Sequence, residues 1–313
     1  MTQQWEPLYL ETHRRGLLDQ KISAAYDILN QCNLCPHNCL VDRHHGEQGL
    51  CRTGDRPITS SFGPHFGEED PLVGRRGSGT IFFTNCNLYC IFCQNYEISH
   101  DGVGEEISLA DLAVMMLNLQ QRGCHNINFV TPSHQVYQIL AALPLAIEGG
   151  LRVPLVYNTG DYDALETLRL LEGVIDIYMP DFKFWDPQVA AALCQAKDYP
   201  EVARQALKEM HRQVGDLVMD DTGVARRGLL VRHLVLPDDL AGTQEVMEFL
   251  SREISPRTYV NVMGQYRPCG RAFEHPALRK SLTGLEHAEA QRLARQAGLT
   301  RLDHREKLFR WLE

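Results

Sequence analysis

Three cysteines, Cys86, Cys90 and Cys93, fall within eight positions of the stretch TNCNLYCIFCQNYEIS, residues 84–99. A free cysteine usually behaves as a small buried hydrophobe. The neighbours here are Asn85, Asn87, Gln94 and Asn95, which suit an apolar setting poorly. Structural zinc sites are closed by four ligands, and this stretch supplies three. Three thiolates can instead hold a [4Fe–4S] cluster with one iron left unligated by protein. An open iron invites a substrate or cofactor.

A second set, Cys32, Cys35, Cys39 and Cys51, lies in CNLCPHNCLVDRHHGEQGLC, residues 32–51. This set offers four ligands, with Pro36 and Gly49 placed to shape tight turns. So short a segment has little apolar material with which to fold alone, and a bound metal would supply that stability. Tetrahedral zinc would staple the arm to the rest of the chain, whereas an auxiliary [4Fe–4S] cluster could relay electrons or sit near substrate. His37, His44 and His45 read as solvated side chains on a polar arm, although any of them could replace a thiol. Cys124 and Cys194 read as packing, and so does Cys269 in YRPCG, with a place near the active site as its alternative.

The elements that would position these groups come from a chain of 313 residues, 44% hydrophobic, with ten cysteines and a net charge of −9. The N-terminus MTQQWEPLYLETHRRG lacks the apolar core of a secretion signal, and no segment approaches a membrane span. A cytoplasmic protein without a membrane anchor is expected, in which clustered cysteines mean metal or redox chemistry rather than disulfides. The negative charge opposes general nucleic-acid binding. The cation-rich run RQAGLTRLDHREKLFRW near the end reads as a solvated helix face.

Apolar runs predict strands at 79–84, 126–131, 153–158, 174–180, 228–237 and 258–263. They are nearly continuous rather than alternating, as a parallel sheet covered on both faces requires. Between them lie helical patterns: 108–123 opens on Ser108 as N-cap and closes on Gly123, and 199–215 stops at Gly215. SFGPHFGEEDPLVGRRGSG, residues 61–79, reads as an irregular connection, and the pattern around 282–299 as a terminal amphipathic helix. The expected organisation is a Cys-rich metal-binding arm over 1–75, an α/β domain over 76–268 and a helical extension over 269–313. Because the first strand runs directly into the three-cysteine loop, the cluster belongs at a strand's C-terminal end, where α/β barrels place their chemistry.

CNLYCIFC fits the CxxxCxxC motif of radical S-adenosylmethionine (SAM) enzymes, including the aromatic Phe92 before the third cysteine. The whole chain resembles the PflX group, relatives of the enzyme that activates pyruvate formate-lyase. The likeness runs through CNLCPHNC, GTIFFTNCNLYCIFCQNYEIS, NTGDYD, DIYMPDFKFWD, RHLVLP and QYRPCG. It implies a partial (β/α)6 TIM-type barrel with SAM across the strand ends, its amino and carboxylate groups on the open iron. It also implies reductive cleavage to methionine and a 5′-deoxyadenosyl radical, an electron donor such as flavodoxin or ferredoxin, and a glycyl-radical enzyme as partner. In the activating enzymes the second strand ends in a Gly-rich motif that meets the SAM amino group. This chain has VTPSH there, with Thr131 and Pro132 in the equivalent place. The resemblance further nominates Asn158 and Thr159 from YNTG, Asp181 and Lys183 from PDFK, and Arg232. Independently of it, a charge within an apolar strand signals an inward-facing pairing for Arg232. His233 reads as a core histidine facing the helices. Met263, Gln265 and Tyr266 end the last strand, where they could close over adenosine. Modification of another protein or a metabolite, and a non-catalytic iron–sulfur or zinc scaffold, are the rival functions.

Overall fold

A computed structural model describes residues 5–303 of the chain. Each of the six apolar runs forms a strand: β2 (Ser78–Phe83), β3 (Ile127–Val130), β4 (Leu155–Thr159), β5 (Ile177–Pro180), β6 (Ala225–Leu234) and β7 (Tyr259–Met263). They pair in parallel and in chain order, Phe129 opposite Tyr157, Tyr157 opposite Tyr178, Tyr178 opposite Leu229 and Val231 opposite Val260. The result is an α/β fold on a mostly parallel open sheet, consistent with the expected partial barrel. All six C-terminal ends therefore lie on one side.

Helices connect the strands, and local chemistry sets their ends. Leu109–Gln121 begins with a capping box in which the Ser108 hydroxyl accepts from Asp111 N and the Asp111 carboxylate accepts from Ser108 N. Tyr199–Val214 carries Pro200 in its first turn and ends at Gly215, whose φ of 71° breaks the helix. Gly284–Gln296, the expected terminal helix, opens on a second capping box between Thr283 and Glu286.

Alternation along the strands divides the core. Phe129, Tyr157, Tyr178, Leu229 and Val231 face the helices and pack with residues such as Met116, Ile139, Leu143 and Met210. Val156, Ile177, Met179 and Leu230 point to the other face, where Leu72 and Leu217 cover them. Full burial of each such side chain stabilises the fold by roughly 1.5–3 kcal/mol.

The expected irregular connection is corrected. It contains β1 (Ile58–His65), antiparallel to β2, and a short helix at Asp70–Val73. Gly63 and Pro64 hid the strand, and proline is tolerated there because β1 lies toward the edge of the sheet. β6 starts three residues early because it forms a hairpin with Val218–Met219. β5 starts late because Val174 N and Ile175 N still bond back to Leu171 O. Arg301–Leu302 adds a short parallel strand beside β7. The remainder of the cation-rich run, from residue 304 on, lies outside the described residues.

The segment before the cysteines is helical, at Leu8–Arg14 and Leu17–Ile28. It is fastened to the loops that enter β4 and β5: Leu8 N donates to Asp176 Oδ1 at 2.8 Å, the Tyr9 hydroxyl to Val153 O at 3.0 Å and the Thr12 hydroxyl to Gly173 O at 2.6 Å. Among the described residues no helix is long and apolar enough to cross a membrane.

Candidate active site

At the C-terminal ends of the parallel strands a cavity of about 240 Å3 opens. Cys86, Cys90, Cys93 and Phe92 line one part of it, supplied by the loop after β2. Thr131 follows β3, Asn158 and Thr159 end β4, Asp181 and Lys183 follow β5, Arg232 comes from β6, and Met263 and Gln265 from the end of β7; all line the same cavity. Pro132 is buried behind Thr131 and is not on the cavity wall. Tyr266 is also turned away, its hydroxyl donating to Leu278 O at 2.7 Å.

The loop between β2 and the cysteines is held by backbone bonds rather than by regular structure. Asn85 N donates to Ile98 O, Ile91 N to Leu193 O and Arg271 N to Ile91 O. Asn85 and Tyr89 have φ of 69° and 50°, so the chain turns sharply on either side of Cys86. Leu88 N points at Cys86 Sγ at 3.4 Å, and the Ser99 hydroxyl donates to Cys93 Sγ at 3.2 Å. Burial pushes the Cys86 thiol up to about 12 and also raises Cys93. Cys90 is raised by the adjoining Cys194 thiol and then by burial. To bind metal these groups must lose their protons to solvent and bind as thiolates. Among the described residues no three His, Cys, Asp or Glu side chains converge as ligands of one ion. A cubane cluster does not ask for that, since each thiolate binds a different iron.

The opposite wall is charged. Asp181 receives Arg232 Nε at 2.5 Å on one oxygen and Lys183 Nζ at 2.8 Å on the other. Arg232 also donates to Asn158 Oδ1 at 2.7 Å and to Glu68 Oε2 at 3.2 Å. Burial alone would raise Asp181, but Arg232 and Lys183 outweigh it and hold the carboxyl below its ordinary range. Burial likewise opposes the charge on Lys183, and Asp181 more than restores it. Strand alternation explains the placement: Arg232 has the parity of Leu230 and points inward, whereas His233 has that of Val231 and points at the helices. His233 is fully buried there, with ring nitrogens 2.9 Å from Phe182 O and 3.0 Å from the Thr243 hydroxyl.

Three thiols at one end of a cavity and paired cations and carboxylates at the other fit an iron–sulfur cluster together with an amino-acid-bearing nucleoside. Residues 80–222 match the Radical SAM superfamily. Over 300 residues the chain is 32% identical to the Uncharacterized protein MJ0674 of Methanocaldococcus jannaschii, covering 93% of this chain and 82% of that protein. The chain belongs to the radical SAM superfamily. Membership implies an enzyme that uses an iron–sulfur cluster to cleave SAM.

Sequence reading missed several residues of this radical SAM cavity and its surroundings. Glu68 and Glu69 came from the stretch read as a connection, yet Glu68 meets Arg232, and Glu69 accepts from Asn261 Nδ2 at 2.7 Å. Two adjacent acids in a Gly/Pro-rich segment carry no periodicity that could have announced them. Cys194, read as packing, is fully buried at the end of the helix Pro187–Cys194 and adjoins Cys90. Ser99, six residues after Cys93, offered no signal beyond its proximity in sequence.

Proposed function

We propose that the protein is a radical SAM enzyme in which Cys86, Cys90 and Cys93 hold a [4Fe–4S] cluster and the strand ends hold SAM for hydrogen abstraction from a substrate carbon. The observation that carries this reading is the convergence of the three thiols and the polar ends of β4, β5 and β6 on one cavity. The bound cluster supplies the electron that cleaves SAM to methionine and a 5′-deoxyadenosyl radical. Lys183, whose ammonium pairs with Asp181 at 2.8 Å, suits the SAM carboxylate as a compact point charge. Asn158 and Thr159 offer amide and hydroxyl partners for ribose or amino groups, while Phe82, Val130, Leu234 and Met263 give an apolar wall for adenine. Phe92 packs edge-on against Phe184 at 5.9 Å and closes the site from water beside the third cysteine.

The motif likeness to glycyl-radical activating enzymes supports a glycine Cα–H of a partner protein as the substrate, with flavodoxin or ferredoxin as electron donor. Anaerobically reconstituted, reduced protein is expected to convert SAM to 5′-deoxyadenosine and methionine, and the Cys90→Ala variant to yield neither. Cluster-loaded wild-type protein that leaves SAM intact would refute the catalytic reading. Incubation with glycyl-radical proteins, followed by electron paramagnetic resonance, tests the substrate: a new glycyl signal is expected, and its absence with every partner overturns that assignment alone.

A further inference from the structure

The short helix Asp70–Val73 and the residues before it cross the inner face of the sheet, where Leu72 packs with Val156, Ile177 and Met179. This path places two adjacent acids, Glu68 and Glu69, behind the charged wall of the cavity, at 7% and 3% exposure. Neither lines the cavity itself. Arg232 and Asn261 are register partners on β6 and β7, so both turn inward and meet these acids. Arg232 Nη1 donates to Glu68 Oε2 at 3.2 Å, and Asn261 Nδ2 to Glu69 Oε1 at 2.7 Å. Glu69 Oε2 is buried without a hydrogen-bond partner. Arg232 joins the pair to the ligand space, because its other nitrogens donate to Asp181 and Asn158, which line the cavity. Burial opposes the charge on Arg232, and Asp181, Glu69 and Glu68 together restore it.

The carboxylates Glu68 and Asp181 balance the cations Arg232 and Lys183. An ionised Glu69 would leave the empty site with an uncompensated negative charge, which burial makes costly. Burial accordingly raises the Glu69 carboxyl, and Glu68 adds to the rise, against the support of Arg232 and Asn261. SAM changes this balance. Its sulfonium and ammonium outweigh its one carboxylate, whereas the thioether S-adenosylhomocysteine brings no net charge. Asp161 is a second buried acid near this wall, influenced by Asp181 and Lys183. Both of its carboxylate oxygens lack partners, so no donor supports its ionised form. Ionised Glu69 keeps Asn261 and faces Arg232, and that difference decides between the two acids.

We propose that Glu69 holds a proton in the empty site and releases it when SAM enters, so that the Glu68–Glu69 pair matches the sulfonium charge and separates SAM from its neutral thioether analogue. This rests on the reading of the cavity as a SAM site. The charged and titratable groups facing Glu69 are Glu68 beside it, Arg232 on β6 and Tyr259 on β7. Asp70 follows it in the chain, and the His65 ring lies 3.4 Å from Glu68 Oε1. By linkage the proton and the sulfonium compete. SAM affinity therefore falls as pH drops through the range in which the empty site takes up its proton, and thioether affinity does not.

The test titrates anaerobically reconstituted, unreduced protein with SAM and with S-adenosylhomocysteine, by calorimetry in buffers of different ionisation enthalpy from acid to neutral pH. At its maximum over that range, wild type is expected to release about half to one proton per SAM bound, and essentially none per thioether. Glu69→Gln keeps the shape of the neutral acid and an acceptor for Asn261. It is expected to abolish the release, to lower SAM affinity at neutral pH by about tenfold and to leave thioether affinity unchanged. Glu69→Asp, which keeps an ionisable group, is expected to restore the release, and Asp161→Asn to leave it intact. SAM binding without proton release, a release that survives Glu69→Gln, or one that is lost with Asp161→Asn overturns the proposal while the SAM site stands. Protein that binds neither ligand overturns the SAM site together with the proposal.

Discussion

Arg232 donates from Nε to Asp181 Oδ1 at 2.5 Å and so ties β6 to the chain leaving β5 across the floor of the cavity. Their backbones pair as well, Phe182 N donating to Arg232 O at 2.9 Å. Lys183 takes the other carboxylate oxygen. One acid thus sets the position of two cations.

Asp181→Ala strands Lys183 and leaves Arg232 with Glu68 as its carboxylate partner in a partly closed site. Removing one partner of a buried pair costs about 3–5 kcal/mol, and SAM affinity is expected to fall with it. Because the folded carboxyl is held below its ordinary range, its stabilising contribution is complete above the unfolded carboxyl's pKa near ~3.9 and is lost as pH falls through the folded value. The stability gap between wild type and variant in urea melts is therefore expected to be full at neutral pH and to narrow in acid below that point.

Thr131 is a β-branched residue with φ of 60° directly before a proline. The left-handed region costs a side chain about 1–2 kcal/mol, and glycine avoids this while losing about 0.5–1 kcal/mol of backbone entropy. Thr131→Gly is expected to raise stability by up to about 1 kcal/mol on the balance of those terms. A denaturation midpoint that moves down instead would show that the hydroxyl or methyl group is what holds this corner.

The Ser99 hydroxyl donates to Cys93 Sγ. Hydrogen bonds to ligand sulfurs favour the more negative, reduced cluster. In cluster-loaded protein Ser99→Ala is expected to lower the reduction potential by about 40 mV, the one-electron equivalent of a net hydrogen bond near ~1 kcal/mol. A redox titration followed by paramagnetic resonance reads the shift, and a rise in potential would contradict the arrangement.

His233 stays neutral in the fold because burial lowers it to about 4, against partial support from Phe182 O and the charges of Asp239 and Asp181. An unfolded imidazole takes its proton near ~6.5. Between those values falling pH favours the unfolded chain, by up to about 1.4 kcal/mol per pH unit for this group. His233→Gln, which leaves the Phe182 and Thr243 contacts imperfectly met, is expected to cost about 1–3 kcal/mol at pH 7.5. The difference from wild type should shrink at pH 5, where only wild type has lost proton-linked stability. A difference that stays constant with pH would mean the ring is protonated in the folded state.

Much of this protein was legible in one dimension. The six buried strands were visible because parallel strands covered on both faces are continuous apolar runs, and Ser108 and Gly215 marked helix ends through chemistry confined to a few residues. Cys86, Cys90 and Cys93 were legible for the same reason: their spacing lies within one loop, so no distant partner is needed to recognise it. The inward turn of Arg232 was legible because a charge within an apolar strand needs a partner, and His233 was legible as a core histidine facing the helices.

Tertiary structure decided what depends on contacts between segments far apart in the chain. Only folding brings Glu68 to Arg232 across 164 residues and seats Cys194 against Cys90. β1 was hidden because an edge strand with glycine and proline has neither a fully apolar run nor a clean alternation, and pairing with β2 alone defines it. The burial of Arg43 is of the same kind. Its sequence neighbours, Asp42 and His44, suggest a solvated residue, and it is the approach of Gly54 and His134 that removes it from water.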